Sequence, residues 1–208
     1  MPIISRRLAL LGMLTPALAA CGNGGGGKSA PLPDDMSLGN PAAKVTVVEY
    51  ASVACPVCGR WYKEVFPAFK AKYIDSGKIH YIAREMLVGD ANEVAIAASG
   101  FLLARCAGKD KYFAVVGAIY ASQPGIYDDP NNTLMGIAKT VGLSEDQYSA
   151  CIRDQAALNA LSARVAANVK RDNVNATPTF VVNGKALEAG YQPLTALDAA
   201  IAAAGAGK

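Results

Sequence analysis

The chain has 208 residues, one histidine, five cysteines and a formal charge of +3. That length suits one domain of moderate size, or one domain carrying an insertion. So small a charge offers no basis for a nucleic-acid or polyanionic partner. The odd cysteine count predicts that one cysteine does something other than pair.

Residues 1–20 hold Arg6 and Arg7, then the apolar run Leu8 to Leu14, then a small-residue exit ending Ala19-Ala20. A charged start, an apolar core and small residues before a cut are the layout of a secretory signal. The core is too short to span a bilayer as a helix. Leu18-Ala19-Ala20-Cys21 resembles a bacterial lipobox, in which the cysteine is lipidated and becomes the mature N-terminus. The alternative is an ordinary signal peptide cut nearby, with Cys21 incidental or removed. Ser5-Arg6-Arg7 also leaves a twin-arginine reading open. Either route leads to the periplasm or cell envelope, where disulfides persist. A lipid anchor at Cys21 would hold the protein on the membrane.

Residues 21–40 are rich in Gly, Ser and Pro and read as a flexible tether. It is too short for a separate domain, which excludes an N-terminal dimerisation module. A monomer is expected, with one folded unit over residues 41–206. Lys44 to Tyr50 reads as a central strand, because Val45, Val47 and Val48 suggest burial on both faces. Glu49 is an acid inside that apolar run. After Cys55, apolar residues recur at Tyr62, Val65, Phe66, Phe69 and Tyr73, which predicts a helix. Pro67 should kink it between residues 63 and 67. Lys78 to Met86 reads as a second strand.

From about 91 to 172 the pattern is helical, without strands. Ser144 and Gln147 form a capping box expected to open one long helix through Cys151, Leu158 and Val165. Asn183-Gly184 between Phe180-Val181-Val182 and Lys185-Ala186-Leu187 signals a hairpin. A helix over 195–204 closes the chain. The expected fold class is α/β, with a helical insertion between the second and third strands.

The chemistry centres on Cys55-Pro56-Val57-Cys58, at the junction of the first strand and the first helix. A helix N-terminus offers unpaired N–H groups and a positive dipole end, which favour a thiolate. Pro56 fits the first turn without wasting a donor. Cys55 is thus the expected exposed nucleophile, and Cys58, one turn on, the buried resolving thiol. A structural disulfide or half of a metal site is the competing reading. Zinc, however, commonly takes four N or S ligands, and the chain offers one CxxC and His80. No metal or cofactor is expected. His80 reads as a satisfied strand residue, and Trp61 and Tyr62 as core and rim. Cys106 and Cys151 lie in two helices of the inserted block. They are read either as a structural bridge or as a second redox pair, and lack of CxxC spacing favours the bridge. In the chain-entropy description such a bridge contributes roughly 4 kcal/mol.

Cys55-Pro56-Val57-Cys58, Thr177-Pro178-Thr179-Phe180 ahead of the Asn183-Gly184 hairpin, and the helical block between them resemble the DsbA-type branch of the thioredoxin superfamily over residues 40–206. The resemblance implies a thioredoxin-like fold and protein thiol:disulfide exchange. It implies that Pro178 is cis and faces the redox pair. It also implies that Glu49 is a buried acid assisting deprotonation of Cys58. The best-known members carry His between the cysteines where this chain has Val57, so a weaker oxidant is expected. Pro56, Val57, Thr177 and Pro178 are the expected substrate contacts. Thr177 would offer a strand edge to an extended, unfolded exported protein. A membrane redox partner would recycle the pair. Isomerase or reductase activity, and a non-catalytic binding or metallochaperone module, are the alternatives.

Overall fold

A computed structural model describes residues 30–206 of the chain. The expected signal segment, Cys21 and the start of the tether lie outside the described residues. The apolar run after Lys44 forms β2 (Val45–Ala51), the middle strand of a five-stranded sheet ordered β1-β3-β2-β4-β5. β3 (Ile79–Glu85) lies parallel to it on one side and β4 (Thr179–Val182) antiparallel on the other. β1 (Met36–Gly39) and β5 (Lys185–Ala186) pair antiparallel at the two edges. Asn183 and Gly184 both have positive φ, 45° and 85°, as a tight two-residue hairpin turn requires. The Asn183 side chain also accepts from Thr46 N–H at 2.7 Å and donates to the Lys44 carbonyl at 3.1 Å, fixing the hairpin to β2.

Both faces of the sheet are covered. On one, Val45, Val47, Ile79, Tyr81, Phe180 and Val182 pack against α1 (Pro56–Glu64), α2 (Phe66–Phe69) and α9 (Leu194–Ala206). Trp61 is fully buried there, with its ring centroid 4.7 Å from that of Phe180. Its indole N–H donates to the Gln192 carbonyl at 2.9 Å, so no polar atom is stranded. On the other face Val48, Tyr50, Ile82 and Val181 meet Val174 and Val169. α1 and α2 break at Val65, just before Pro67, and a π-helical turn over Lys70–Ile74 completes this arm.

The helical block comprises α3 (Ala91–Cys106), α4 (Lys109–Ala121), α5 (Gln123–Ile126), α6 (Pro130–Thr140), α7 (Glu145–Arg153) and α8 (Gln155–Asp172). It packs its own core against Val53, Ala54 and Cys58. Two adjacent residues of β3 latch it to the sheet. Successive strand side chains point to opposite faces. Arg84 therefore meets Asp172 of α8, while Glu85 accepts from Arg105 of α3 and Arg164 of α8. Cys106 and Cys151 form a disulfide that ties the end of α3 to α7.

Three sequence expectations are corrected. Residues 36–39, assigned to the tether, form an edge strand: Met36 is buried, and the segment is held by backbone pairing to residues 80–83. The folded unit therefore begins before residue 41; the helical block lies, as expected, between the predicted second and third strands, which the added edge strand makes β3 and β4. The single long helix expected from Ser144 is two helices. Asp154 has an extended backbone and its carboxylate caps α8 by accepting from Ala157 N–H at 2.9 Å. The Ser144–Gln147 capping box does open α7.

Candidate active site

β2 ends, a short loop follows, and Cys55 becomes the N-cap of α1 with an extended backbone and Pro56 in the first turn. Both Cys55 and Cys58 are free thiols, Cys55 half-buried and Cys58 fully buried. The Thr177–Pro178 peptide bond is cis. It brings the Thr177 carbonyl 3.6 Å from the Cys55 sulfur, which donates to it as a thiol. Pro178 is buried, Thr177 half-buried, and Pro56 and Val57 are exposed. Val57, between the two cysteines, is the exposed large hydrophobic side chain among the described residues.

The two thiols are driven apart in acidity. A hydrogen bond from Cys58 does most to pull Cys55 down to about 5. Burial opposes this, while the Thr177 side chain and the N–H groups of Cys58 and Val57 add to it. Cys58 is pushed the other way, first by burial and then by its bond to Cys55 and the nearby negative charge. One thiol is thus a thiolate at neutral pH and its partner a thiol, the arrangement that lets one attack while the other waits.

Glu49 lies buried beneath α1, and Tyr81 donates a short hydrogen bond to its carboxylate. Burial raises Glu49 to about 7, with the Tyr81 bond pulling the other way. Its charge acts on Cys58. His80 is buried in β3, paired with Gly39 of β1 and Thr46 of β2, and its Nδ1 has no hydrogen-bond partner among the described residues, so the expectation of a satisfied ring is corrected. Among the described residues no group of three or more His, Cys, Asp or Glu could hold a metal ion.

Sequence reasoning missed the clasp that the helical block places on the site loop. Gln123 of α5 donates to the carbonyls of Val53 at 2.8 Å and Cys55 at 3.0 Å, and Tyr127 donates to the Ala54 carbonyl. Gly59 makes this possible. A Cβ there would stand 1.9 Å from the Gln123 amide oxygen. The Gly59 that directly follows the CxxC was the available signal. Gly59→Ala is therefore expected to expel Gln123 and destabilise the fold by about 1–3 kcal/mol, the cost of stranding buried carbonyls. Gln123→Ala should cost about as much, and the double variant no more than Gln123→Ala alone, as measured by denaturant unfolding. Additive losses would mean that the two residues act separately.

A central mixed sheet, a CxxC at a helix N-terminus, a facing cis proline and an inserted helical block define a thioredoxin-fold protein of the DsbA type. The chain belongs to the thioredoxin family, whose model, described as Thioredoxin, matches residues 32–203. A protein of Rickettsia bellii named "Putative protein-disulfide oxidoreductase" is 34% identical over 154 residues, 73% of this chain and 58% of that one. The chain thus spans little more than half the length of that relative. Among solved structures, alpha-DsbA1 of Wolbachia pipientis superposes with a TM-score of 0.74 at 28% identity, covering 83% of this chain and 92% of its own. A thioredoxin-like oxidoreductase from Silicibacter pomeroyi DSS-3 gives 0.65 at 27% identity, over 85% and 95%.

Proposed function

We propose that this protein is an extracytoplasmic thiol:disulfide oxidoreductase that forms disulfides in exported proteins. The opposed acidities of Cys55 and Cys58 beside cis-Pro178 carry the reading. In the oxidised protein a substrate thiolate attacks the Cys55 sulfur, the Cys55–Cys58 bond breaks, and Cys58 leaves and takes a proton. A second substrate thiolate then attacks the first substrate sulfur and expels Cys55 as its stable thiolate. The substrate gains a disulfide and the protein is left with two electrons for a membrane partner to remove. Substrate contacts are Pro56, exposed Val57, and Thr177 with Pro178. The strand edge at Thr177 suits an extended, unfolded chain. The protein acts as a monomer in the periplasm or cell envelope, anchored by lipid at Cys21, and Cys106–Cys151 braces the helical block. The same geometry serves an isomerase or reductase, so potential decides direction.

The test is the reduction potential of Cys55–Cys58 against glutathione across pH. A value toward about −120 mV marks an oxidase, and one toward about −270 mV a reductant. With Cys55 ionised above pH about 5, reduction consumes two electrons and one proton, borne by Cys58. The potential should therefore fall by about 30 mV per pH unit above that point and about 59 mV below it. A pair that does not exchange with glutathione would leave a binding module in place of an enzyme.

A further inference from the structure

Glu49 can serve Cys58 only if its own proton reaches water, and its carboxyl is sealed beneath α1. Its hydrogen-bond partner, Tyr81, is buried as well. Against the carboxyl lies a cavity of about 20 Å³, lined by Glu49, Tyr62, Tyr81, Tyr112 and Tyr120 among others. That is room for one water with several polar partners. Outside it runs an open groove of about 780 Å³ between α1 and α4, beginning at Pro56. Tyr62 and Tyr120 line both spaces. Their ring centroids are 4.8 Å apart, and both side chains border the cavity on one side and the groove on the other. Gly117 of α4 leaves room for the Tyr62 hydroxyl, since a Cβ there would come within 2.7 Å of it. Gly117 itself lines the groove. Among the described residues neither the Tyr62 nor the Tyr120 hydroxyl has a protein hydrogen-bond partner. Both are therefore free to bond water on either side.

We infer that Tyr62, with Tyr120 beside it, is the proton port of the redox site: Glu49 exchanges protons with solvent in the α1–α4 groove through these hydroxyls. The inference rests on the oxidoreductase reading. When Cys58 leaves as a thiolate it takes a proton from the Glu49 carboxyl. The carboxylate recovers one from the cavity water, the water from a tyrosine hydroxyl, and the hydroxyl from a hydronium ion or buffer acid in the groove. One proton enters from solvent, its conjugate base stays in the groove, and no tyrosinate or hydroxide remains in the site. When Cys58 must ionise, the chain runs in reverse. A hydroxyl both donates and accepts, which this relay needs. The titratable groups that share the cavity with Glu49 are Tyr62 of α1, Tyr81 of β3, and Tyr112 and Tyr120 of α4, and its charge reaches Cys58 of α1. The Arg84 guanidinium at the cavity edge is engaged by Asp35 and Asp172. Burial holds the Tyr81, Tyr112 and Tyr120 hydroxyls well above their ordinary range, so they stay neutral.

The test is single-turnover exchange with a cysteine-containing peptide, resolving the Cys55 and Cys58 steps, in the full chain. Tyr62→Phe/Tyr120→Phe should slow the Cys58 step by about tenfold or more, as loss of positioned proton transfer does. The solvent deuterium isotope effect on that step should rise, while the Cys55 step and the equilibrium potential stay at wild-type values. Tyr62→Ala, which opens the cavity to water in the groove, should be faster than Tyr62→Phe, an order that a packing role would reverse. A double phenylalanine variant with the wild-type rate and isotope effect would overturn the port, as would equal slowing of both steps. Wild-type protein that exchanges with neither peptide nor glutathione would instead overturn the oxidoreductase reading.

Discussion

Cys55→Ser is expected to abolish disulfide exchange, and Cys58→Ser to stop the protein at the mixed disulfide. With its pKa at about 5, Cys55 carries roughly a hundred thiolates for every thiol at pH 7. An ordinary thiol at 9.0 carries the reverse ratio, so the site multiplies the nucleophile roughly a hundredfold. Cys58 cannot substitute, because it is fully buried and held protonated. Alkylation by iodoacetamide at neutral pH, with the Cys106–Cys151 disulfide kept intact, should therefore label the reduced CxxC pair once, at Cys55. Cys55→Ser should be labelled slowly or not at all. The Cys58 hydrogen bond is the largest cause of the Cys55 acidity, so Cys58→Ala should move the alkylation midpoint upward from about 5. Cys58→Ser, which keeps a donor, should move it less. Equal labelling of the two cysteines, or residual exchange in Cys55→Ser, would remove Cys55 from the role of nucleophile.

The sequence carried what is local and lost what is distant. Cys55-Pro56-Val57-Cys58, Thr177-Pro178 and Asn183-Gly184 each encode their geometry within a few residues, so the site loop, the proline facing it and the hairpin were all legible. β1 was not. It is four residues long with Met36 buried, too few for an alternation to rise above a Gly/Pro-rich background. Asp154 reads as one polar residue in a helical stretch unless its cap to Ala157 is considered, and D-x-x-A is a weak signal beside the neighbouring capping box. The Gln123 clasp joins residues 70 and 68 positions apart in the chain, and nothing near Gln123 names Val53 or Cys55 as partners. Glu49 was visible as an acid in an apolar strand. Its burial against Tyr81 depends on the parallel register of β2 with β3, which no single segment specifies.

Arg84→Ala should be the most damaging substitution outside the redox pair, lowering stability by about 3–5 kcal/mol. The Arg84 side chain is fully buried. Its guanidinium donates to Asp35 at 3.2 and 3.0 Å, to Asp172 and the Tyr50 hydroxyl at 3.0 Å, and to the Ala30 carbonyl at 3.1 Å. One cation thus joins the segment before β1, the central strand, β3 and the end of α8. Removing it leaves two carboxylates in a site of low polarizability, with Asp172 fully buried and Asp35 nearly so. The attraction between the ions is not what is lost, because desolvation offsets much of it. The damage is the stranded charge. A well-packed apolar replacement of all three residues should therefore be far less harmful than Arg84→Ala alone, which separates this account from simple loss of packing. Against a total of about 5–15 kcal/mol for a domain, the single variant should unfold at much lower denaturant. It should also expose residues 30–39 to proteolysis first, since Asp35 and Ala30 hold that segment to the sheet. Wild-type stability in Arg84→Ala would mean that the two aspartates are neutralised by other means, and that β1 is fixed by its pairing with β3 alone.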